Sequence, residues 1–182
     1  MPLTPAGRLS ALIVGNRTIR RVLGFDLPER DVRWAGVRRG MRVLELGAGR
    51  GLYTQALEKA VRPDGTVVAI EYSEEAARLL HKDVPAARVV VGDATKLPIS
   101  ERSRFDAICF FYSIEEIPEA EIVLRQASRL VAPGGMIILH LWRPLSPKRK
   151  RSSIVGVLRS ERFQIEARWS DFQNVRMVLK RQ

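Results

Sequence analysis

The stretch Val43-Leu-Glu-Leu-Gly-Ala-Gly-Arg-Gly51 decides the architecture of this chain. It begins inside a short apolar segment, Met41–Leu46, which predicts a buried strand. Glycines at positions 47, 49 and 51 follow at once, and Leu52–Val61 predicts the next helix. Glycines permit a tight turn and a close approach of the backbone to a ligand. The stretch therefore predicts a ligand-binding loop at the carboxyl end of a strand.

The alternation of strand and helix continues outward from this loop in both directions. Such alternation predicts an α/β fold: a doubly wound, mostly parallel sheet of seven strands, with one antiparallel strand near the C-terminus. Residues 144–153 are rich in proline and basic side chains and predict a loop. The predicted strands cover residues 41–46, 66–70, 88–91, 105–112, 136–142, 163–169 and 175–180, and the predicted helices cover residues 5–24, 29–37, 52–61, 74–83, 119–130 and 152–160.

The spacing of the glycines and two later acids narrow the class of ligand. A dinucleotide fingerprint requires glycine at position 52, where this chain has Leu52, and Glu45 precedes the loop by two residues. Glu71 ends the second predicted strand about 20 residues beyond the loop, where a carboxylate can accept both hydroxyls of a ribose. Asp93 follows the third strand, where an acid can accept a hydrogen bond from an exocyclic amine. A nucleoside is therefore expected, with less reason to expect a pyrophosphate.

At these positions the sequence resembles the class I S-adenosylmethionine-dependent methyltransferases. The resemblance is carried by the loop, by Glu71 and Asp93, by Phe105-Asp-Ala-Ile and by Leu130-Val-Ala-Pro-Gly-Gly135, in the order and spacing of that family. It covers roughly residues 40–142 and implies a Rossmann-like methyltransferase fold that binds S-adenosylmethionine. The implied cofactor contacts are Glu45 at the amino-acid end, Gly47, Ala48, Gly49 and Gly51 in the loop, Glu71 at the ribose, Tyr72, Asp93 and Ala94 at the adenine, and Phe111.

Residues after the fourth predicted strand face the transferable methyl group in that family. This segment lacks the Asn/Asp-Pro-Pro-aromatic motif of the adenine and cytosine N-methyltransferases, which argues against that route. It is closer to the small-molecule branch, including enzymes similar to those of quinone biosynthesis. It departs from that branch by having Phe111 in place of asparagine and Glu115-Glu116 in place of two histidines, so the substrate is not implied. The candidates for acceptor contact or proton transfer are Tyr112, Ser113, Glu115 and Glu116, although both glutamates also suit an exposed loop.

Three other reactive side chains have simpler interpretations. His140 lies in a predicted central strand, where a core histidine is the leading interpretation and a side chain at the strand end is the alternative. His81 is expected on an exposed helix face, and Cys109 is expected to be a small buried apolar residue. A single cysteine excludes an internal disulfide framework and a multi-cysteine zinc site, and no metal is expected.

The net charge of +11 is concentrated at the two ends of the chain, and 25 of the 31 basic residues are arginine. Residues 1–28 predict a helical arm or lid before a methyltransferase domain at 29–182, and Arg17, Arg20 and Arg21 would face an anionic substrate. Lys148–Arg151 suits RNA phosphates or an anionic lipid surface, and equally a solvated loop. The arginine content also suits a GC-rich or heat-adapted source.

Three functional hypotheses follow. The first is a methyltransferase that acts on a small-molecule or lipid-like acceptor. The second is an RNA or ribosomal-protein methyltransferase that uses its basic termini, and the third is a non-catalytic module that binds S-adenosylmethionine. No apolar run approaches the roughly 20 residues that span a bilayer, and no signal-peptide pattern is present, so a cytoplasmic protein is expected. The sequence leaves open whether the protein is a monomer or a homodimer.

Overall fold

A computed structural model describes residues 28–182 of the chain. The predicted arm, with Arg17, Arg20 and Arg21, lies outside these residues except for Pro28. The helices are α1 (Pro28–Trp34), α2 (Leu52–Val61), α3 (Glu74–Asp83), α4 (Ala120–Leu130) and α5 (Lys148–Ser160), with 3₁₀ turns at Ala94–Lys96 and Ile114–Glu116. The strands are β1 (Arg42–Leu46), β2 (Thr66–Glu71), β3 (Arg88–Val91), β4 (Phe105–Phe111), β5 (Val131–Trp142), β6 (Phe163–Ser170) and β7 (Asn174–Arg181).

All seven strands form one sheet in the order β3-β2-β1-β4-β5-β7-β6. Strands β1 to β5 pair in parallel, whereas β7 is antiparallel to both β5 and β6. This arrangement confirms the predicted fold class. The carboxyl ends of β1 to β5 therefore meet at one edge, called the carboxyl edge below.

Helices cover both faces of the sheet and create two hydrophobic clusters. Val32, Leu57 and Leu80, one from each of α1, α2 and α3, belong to one cluster, and residues of α4 and α5 belong to the other. Strand β5 contributes to both, because Ile137 and Leu139 face the second cluster and Ile138 faces the first. A strand buried on both faces reads as a continuous apolar run, as the sequence of β5 predicts.

The helix predicted over residues 29–37 ends at Trp34, and two predicted starts are wrong by four residues or more. The segment predicted as a loop at residues 144–153 contains the start of α5, which begins at Lys148 rather than Ser152. Lysine and arginine are good helix formers, and Lys150 and Arg151 donate side-chain hydrogen bonds to the carbonyls of Glu115 and Ser146, which anchors this basic first turn. Strand β5 likewise begins at Val131 instead of Met136, because Val131 pairs with Phe105 before an irregularity that contains Gly134.

Candidate functional site at the carboxyl edge

The order of the strands reverses between β1 and β4, and the glycine loop lies at this boundary. In a doubly wound sheet, the crevice outside such a reversal is where ligands bind. The backbone N–H groups of Gly47 and Ala48 donate to the carbonyl of Ile70, at 2.9 and 3.2 Å. These bonds attach the loop to the neighbouring strand β2.

The glycines of the loop have two different roles. A Cβ added to Gly47 would lie 2.5 Å from Cβ of Ser113, and one added to Gly51 would lie 2.2 Å from Cδ1 of Leu80. Internal packing therefore requires glycine at position 47, whereas at position 51 the neighbour is the flexible end of a leucine and the φ of +82° favours glycine. Gly49 has a φ of +56°, and a Cβ added there would meet nothing within 4 Å. Gly49 thus presents bare backbone to open space at the position where a ligand would approach.

Glu71 connects the loop to the next strand and helix. Its Oε2 accepts a hydrogen bond from the N–H of Gly49 at 2.7 Å, and its Oε1 accepts one from the N–H of Ser73 at 2.9 Å. A carboxylate has about four lone-pair sites, so Glu71 keeps acceptor capacity for ligand hydroxyls. Tyr72 follows it with 57% of its surface exposed. The structure thus brings the predicted ribose acid into contact with the predicted loop.

Asp93 and Ala94 lie beyond Glu71, after the edge strand β3. The Asp93 side chain is exposed, and its Oδ1 accepts a hydrogen bond from the N–H of Thr95 at 2.8 Å. That bond and the nearby positive charge of Lys96 lower the pKa of Asp93, although desolvation opposes them. Asp93 is therefore an ionised acceptor at the same edge as Glu71, as its predicted role requires.

Glu45 lies below the loop, inside β1. It is buried, and its Oε2 accepts a hydrogen bond from the Thr54 hydroxyl at 2.6 Å. Burial raises the pKa of Glu45 to about 8, against the effect of the Thr54 hydrogen bond and reinforced by the charge of Glu71. Glu45 is accordingly protonated at neutral pH when no positive charge lies near it.

The first residues after β4 are packed against their neighbours. Phe111 is buried and stacks on Tyr53, with ring centroids 4.0 Å apart. Tyr112 has a φ of +56°, and its N–H donates to the carbonyl of His140 at 2.8 Å. Burial raises the pKa of Tyr112 to about 12. The Ser113 hydroxyl donates to the carbonyl of Leu46 at 2.7 Å and so fastens this segment to β1.

Glu115 does not lie on the surface, contrary to one interpretation of the sequence. It is buried, its Oε1 accepts a hydrogen bond from the N–H of Trp142 at 2.8 Å, and burial raises its pKa to about 7. Its Oε2 is also buried and has no hydrogen-bond partner among residues 28–182. Glu116 is half-buried beside it. A buried carboxyl with a pKa near neutrality at the end of β4 remains a candidate for proton transfer.

A second group of polar side chains lies at this edge, and the sequence analysis named only Tyr112 and His140 among them. Its members are Asp31, Tyr53, Tyr112, His140 and Arg176, and we call it the buried polar cluster. The Tyr53 hydroxyl donates to Oδ2 of Asp31 at 2.6 Å, Nδ1 of His140 lies 3.7 Å from the same oxygen, and Nε of Arg176 lies 3.5 Å from Oδ1. The signal in the sequence was a pair of polar residues, His140 and Arg176, inside strands that are otherwise apolar.

Comparison with known proteins identifies the family. The sequence model of a family described as "methyltransferase domain" matches residues 44–139, which is more than half of the chain. The chain belongs to this methyltransferase-domain family. The matched residues run from β1 to β5 and include both the glycine loop and the segment after β4.

Curated relatives and solved structures agree with this family. The chain is 32% identical over 127 residues to a demethylmenaquinone methyltransferase of Staphylococcus aureus, an alignment that covers 68% of this chain and 52% of the relative. The chain thus spans about half the length of the curated relatives it matches. Two solved structures share the fold at 20% identity. One is a SAM-dependent methyltransferase from Aquifex aeolicus, with a TM-score of 0.73 over 84% of this chain and 88% of that one. The other is a TehB-like SAM-dependent methyltransferase from Corynebacterium glutamicum, with a TM-score of 0.75 over 98% of this chain and 100% of that one.

Two features are absent from the described part of the chain. Within residues 28–182, no three or more histidine, cysteine, aspartate or glutamate side chains are grouped so that they could hold a metal ion. No helix in the same part of the chain is long and apolar enough to cross a membrane.

Proposed function

We propose that this protein transfers a methyl group from S-adenosylmethionine to a small-molecule or lipid-like acceptor. The observation that carries the proposal is the contact between Gly49 and Glu71 at the reversal of strand order. Bare backbone at Gly49 and a carboxylate with remaining acceptor capacity lie side by side there, which suits a nucleoside with ribose hydroxyls. Family membership and the SAM-dependent methyltransferases that share the fold support the same cofactor.

The residues at the carboxyl edge fit the parts of the cofactor in order. Glu71 would accept hydrogen bonds from the ribose hydroxyls, Tyr72 and Ala94 would contact the adenine, and Asp93 would accept from the adenine amine. The loop of Gly47, Ala48, Gly49 and Gly51 would line the cofactor, and Phe111, buried at the end of β4, is the remaining predicted contact. Glu45 would serve the amino-acid end. A cationic amino group there favours the ionised form of Glu45, so binding would release its proton.

When bound, S-adenosylmethionine supplies a methyl group on a sulfonium, which leaves alignment and exclusion of water to the protein. Tyr112, Ser113, Glu115 and Glu116 follow β4 next to the loop, where the acceptor would lie. Ser113 contributes by holding the segment against β1. Glu115, with a pKa of about 7, could take a proton from an acceptor near neutral pH.

One observation supports a small or lipid-like acceptor, and a separate one supports an anionic group on it. The curated relative is named for demethylmenaquinone, a lipid-like quinone. Arg143 and Arg168 are exposed close to Arg151 near the carboxyl edge, and burial together with their charges lowers the pKa of Arg151. Arginines suit a carboxylate or phosphate. We expect Arg17, Arg20 and Arg21 to add to this side.

An RNA or ribosomal-protein acceptor is the second candidate, and the basic run at the start of α5 favours it. Lys148 and Arg149 are exposed, but Lys150 and Arg151 donate to backbone carbonyls, so only half of the run points toward a phosphate backbone. The third candidate is a non-catalytic module. We infer that the protein is cytoplasmic and that it is either a monomer or a homodimer.

The proposal is tested by calorimetry of cofactor binding and by the transfer of a labelled methyl group into a cell extract. We expect micromolar binding of S-adenosylmethionine and of its demethylated product, and no comparable binding of NAD. Label from methyl-labelled S-adenosylmethionine should enter the small-molecule or lipid fraction of a cell extract. Label in RNA or protein would favour the second candidate, binding without transfer to any fraction would favour the third, and preferential binding of NAD would contradict the cofactor.

A further inference from the structure

The turn at residues 171–173, which joins β6 to β7, lies at the carboxyl edge of the sheet. Strand β6 runs parallel to β5, because β7 is antiparallel to both, so β6 ends and β7 begins at this edge. Trp142, the last residue of β5, pairs with Asn174 at the start of β7, and its N–H donates to Glu115. The β6–β7 turn therefore adjoins the segment that holds the candidates for acceptor contact.

Phe172, in the middle of the β6–β7 turn, is the most exposed large apolar side chain in the described part of the chain. It is 91% exposed, whereas Tyr72, the next in order, is 57% exposed. Single exposed apolar side chains are common on protein surfaces. Phe172 differs from these because its turn is fastened on both sides and surrounded by positive charge.

Hydrogen bonds fix the main chain on each side of Phe172. Oδ1 of Asp171 accepts from the N–H groups of Gln173 and Asn174, at 2.7 and 2.6 Å, and the N–H of Asp171 donates to the carbonyl of Asn174. Arg143 holds the turn from β5, because its Nη1 donates to the carbonyl of Asp171 and its N–H to that of Gln173. A well-ordered turn therefore presents the phenylalanine ring to solvent.

Further apolar surface flanks the β6–β7 turn. Trp169 on β6 is 36% exposed, with Cζ of Arg176 4.5 Å from its ring centroid. Pro144 and Pro147 are exposed in the connection from β5 to α5, which Arg143 ties to the turn. Tryptophan rings beside polar groups are typical of the interface between a membrane and water.

Basic side chains lie around the same turn, and carboxylates do not balance them. Arg143 and Arg168 are exposed, as are Lys148 and Arg149 in the first turn of α5. Within residues 28–182, none of these four side chains lies within ion-pair distance of a carboxylate. Burial and the charges of Arg143 and Arg168 also lower the pKa of Arg151, which places three arginines close together. The surface around the turn is therefore complementary to an anionic one.

A lipid surface fits this turn better than a strand of RNA does. Single-stranded RNA binds in basic grooves, where successive bases stack on several aromatic side chains. A ring that is 91% exposed does not line a groove. A bilayer can close around such a ring on all sides, and its anionic headgroups then lie at the level of the neighbouring arginines.

We propose that the β6–β7 turn docks the protein on an anionic lipid surface, with Phe172 inserted at the boundary between headgroups and acyl chains. The proposal rests on the proposed lipid-like acceptor, because such an acceptor dissolves in the same membrane. Docking at this turn holds the carboxyl edge against the membrane. The acceptor then reaches the residues after β4 without crossing water.

Sedimentation with vesicles tests the docking without any cofactor. The full chain would be mixed with vesicles of equal parts phosphatidylglycerol and phosphatidylcholine, and separately with vesicles of phosphatidylcholine alone. We expect binding to the anionic vesicles that weakens as salt is added, and binding to the neutral vesicles that is at least about tenfold weaker. Equal binding to both kinds of vesicle, or binding to neither, would overturn the proposal.

Phe172→Ala should lower the affinity for anionic vesicles at least about tenfold, because the ring leaves the lipid. Val91→Ala is the control and should leave the affinity unchanged, since Val91 is also exposed but lies on β3, at the other end of the sheet. Phe172→Trp should keep the affinity, and brominated lipid should quench the added indole. An unaltered affinity in Phe172→Ala would contradict insertion at this turn.

The double variant Lys148→Gln with Arg149→Gln tests the charges. Its affinity for anionic vesicles should fall about tenfold or more, since each basic side chain near an anionic surface contributes about fivefold. Arg102→Gln with Arg129→Gln is the matched control, because it removes the same charge from exposed positions before β4 and β5, at the opposite edge of the sheet. Equal losses in the two double variants would show that net charge alone attracts the protein, which would remove the turn from the interface.

Other partners of the turn give different results. If the protein ignores vesicles but binds a single-stranded RNA oligonucleotide that Phe172→Ala binds more weakly, the turn serves nucleic acid. If light scattering shows a dimer that Phe172→Ala converts to a monomer, a second copy covers the turn. Either result overturns the proposal.

Failure of the docking and failure of the proposed function are distinguishable. Phe172 lies outside the cofactor loop, so Phe172→Ala should leave the Kd for S-adenosylmethionine unchanged in calorimetry. Cofactor binding and methyl transfer without vesicle binding would remove the docking and leave the methyltransferase. Vesicle binding without cofactor binding would instead remove the proposed function and, with it, the reason given for the docking.

Discussion

The two halves of the carboxyl edge are built from different kinds of contact. The cofactor half is formed by the ends of β1, β2 and β3. There Glu71 accepts hydrogen bonds from the backbone N–H groups of Gly49 in the loop and of Ser73, and Asp93 accepts one from the N–H of Thr95. In the acceptor half, formed by the ends of β4, β5 and β7, Asp31 contacts side chains from three distant parts of the chain, namely Tyr53, His140 and Arg176. The first half therefore depends on local sequence, and the second depends on the assembled fold.

The difference explains how much of the protein could be predicted. Gly47, Gly49 and Glu71 occupy fixed spacings, because a loop and the strand next to it must meet at one edge, so the sequence alone predicted them. Asp31 and Arg176 lie near opposite ends of the described chain and share no motif. Their contact exists only because β7 inserts antiparallel between β5 and β6, while α1 packs over the same face.

The predicted start of α5 was wrong for a similar reason. The start of α5 looked like a loop because a basic first turn opposes the helix dipole, although lysine and arginine are good helix formers. The Lys150 ammonium, which anchors this turn, donates a hydrogen bond to the carbonyl of Glu115. That residue lies more than thirty positions earlier in the chain. Burial of Glu115 itself was equally invisible, because two adjacent glutamates suit an exposed loop until the end of β5 is placed against them.

Glu45 differs from the other acids of the cofactor half because it is buried. Its substitution should have the largest effect on stability, a change in how the free energy of unfolding depends on pH. Its pKa rises from 4.5 to about 8 in the folded protein. The protonated acid therefore contributes its full stability below pH 4.5, and this contribution is lost as the pH rises through about 8. We expect Glu45→Gln to remove this dependence, a difference on the order of 5 kcal/mol. Urea unfolding of both proteins without cofactor at pH 5 and pH 9 measures it, and parallel pH profiles would contradict the burial of this acid.

Arg176→Met tests whether the acceptor half depends on its buried charges. The variant leaves the Asp31 carboxylate buried beside the Tyr53 hydroxyl, without the guanidinium. Loss of one partner of a buried ion pair costs about 3–5 kcal/mol of unfolding free energy. Arg39→Met is the control, because Arg39 pairs with Asp64 while both side chains are more than half exposed, and an exposed pair contributes about 0–1 kcal/mol. Equal unfolding free energies for the two variants would show that the cluster is not a charge-paired unit.

Gly49→Val tests the open side of the cofactor loop. The added side chain meets no protein atom within 4 Å at its Cβ, so it occupies the space assigned to the ligand. We expect the Kd for S-adenosylmethionine to rise at least about a hundredfold, which corresponds to about 2.7 kcal/mol. Gly40→Val is the matched control, because Gly40 also has a positive φ, of +83°, and open space around its Cβ, but precedes β1 at the opposite edge of the sheet. Similar affinities for both variants in calorimetry would remove Gly49 from the binding site.

Tyr72→Ala should give the smallest effect and the finest test of the cofactor half. Tyr72 is largely exposed and follows Glu71, the position from which its ring would contact the adenine. Aromatic contacts of this kind contribute about 0.5–1.5 kcal/mol beyond burial, which predicts a Kd that rises about two- to twelvefold. Tyr72→Phe keeps the ring and should bind as the unaltered protein does. If alanine and phenylalanine weaken binding equally, the hydroxyl rather than the ring contacts the ligand. If neither changes the Kd, Tyr72 does not contact the adenine.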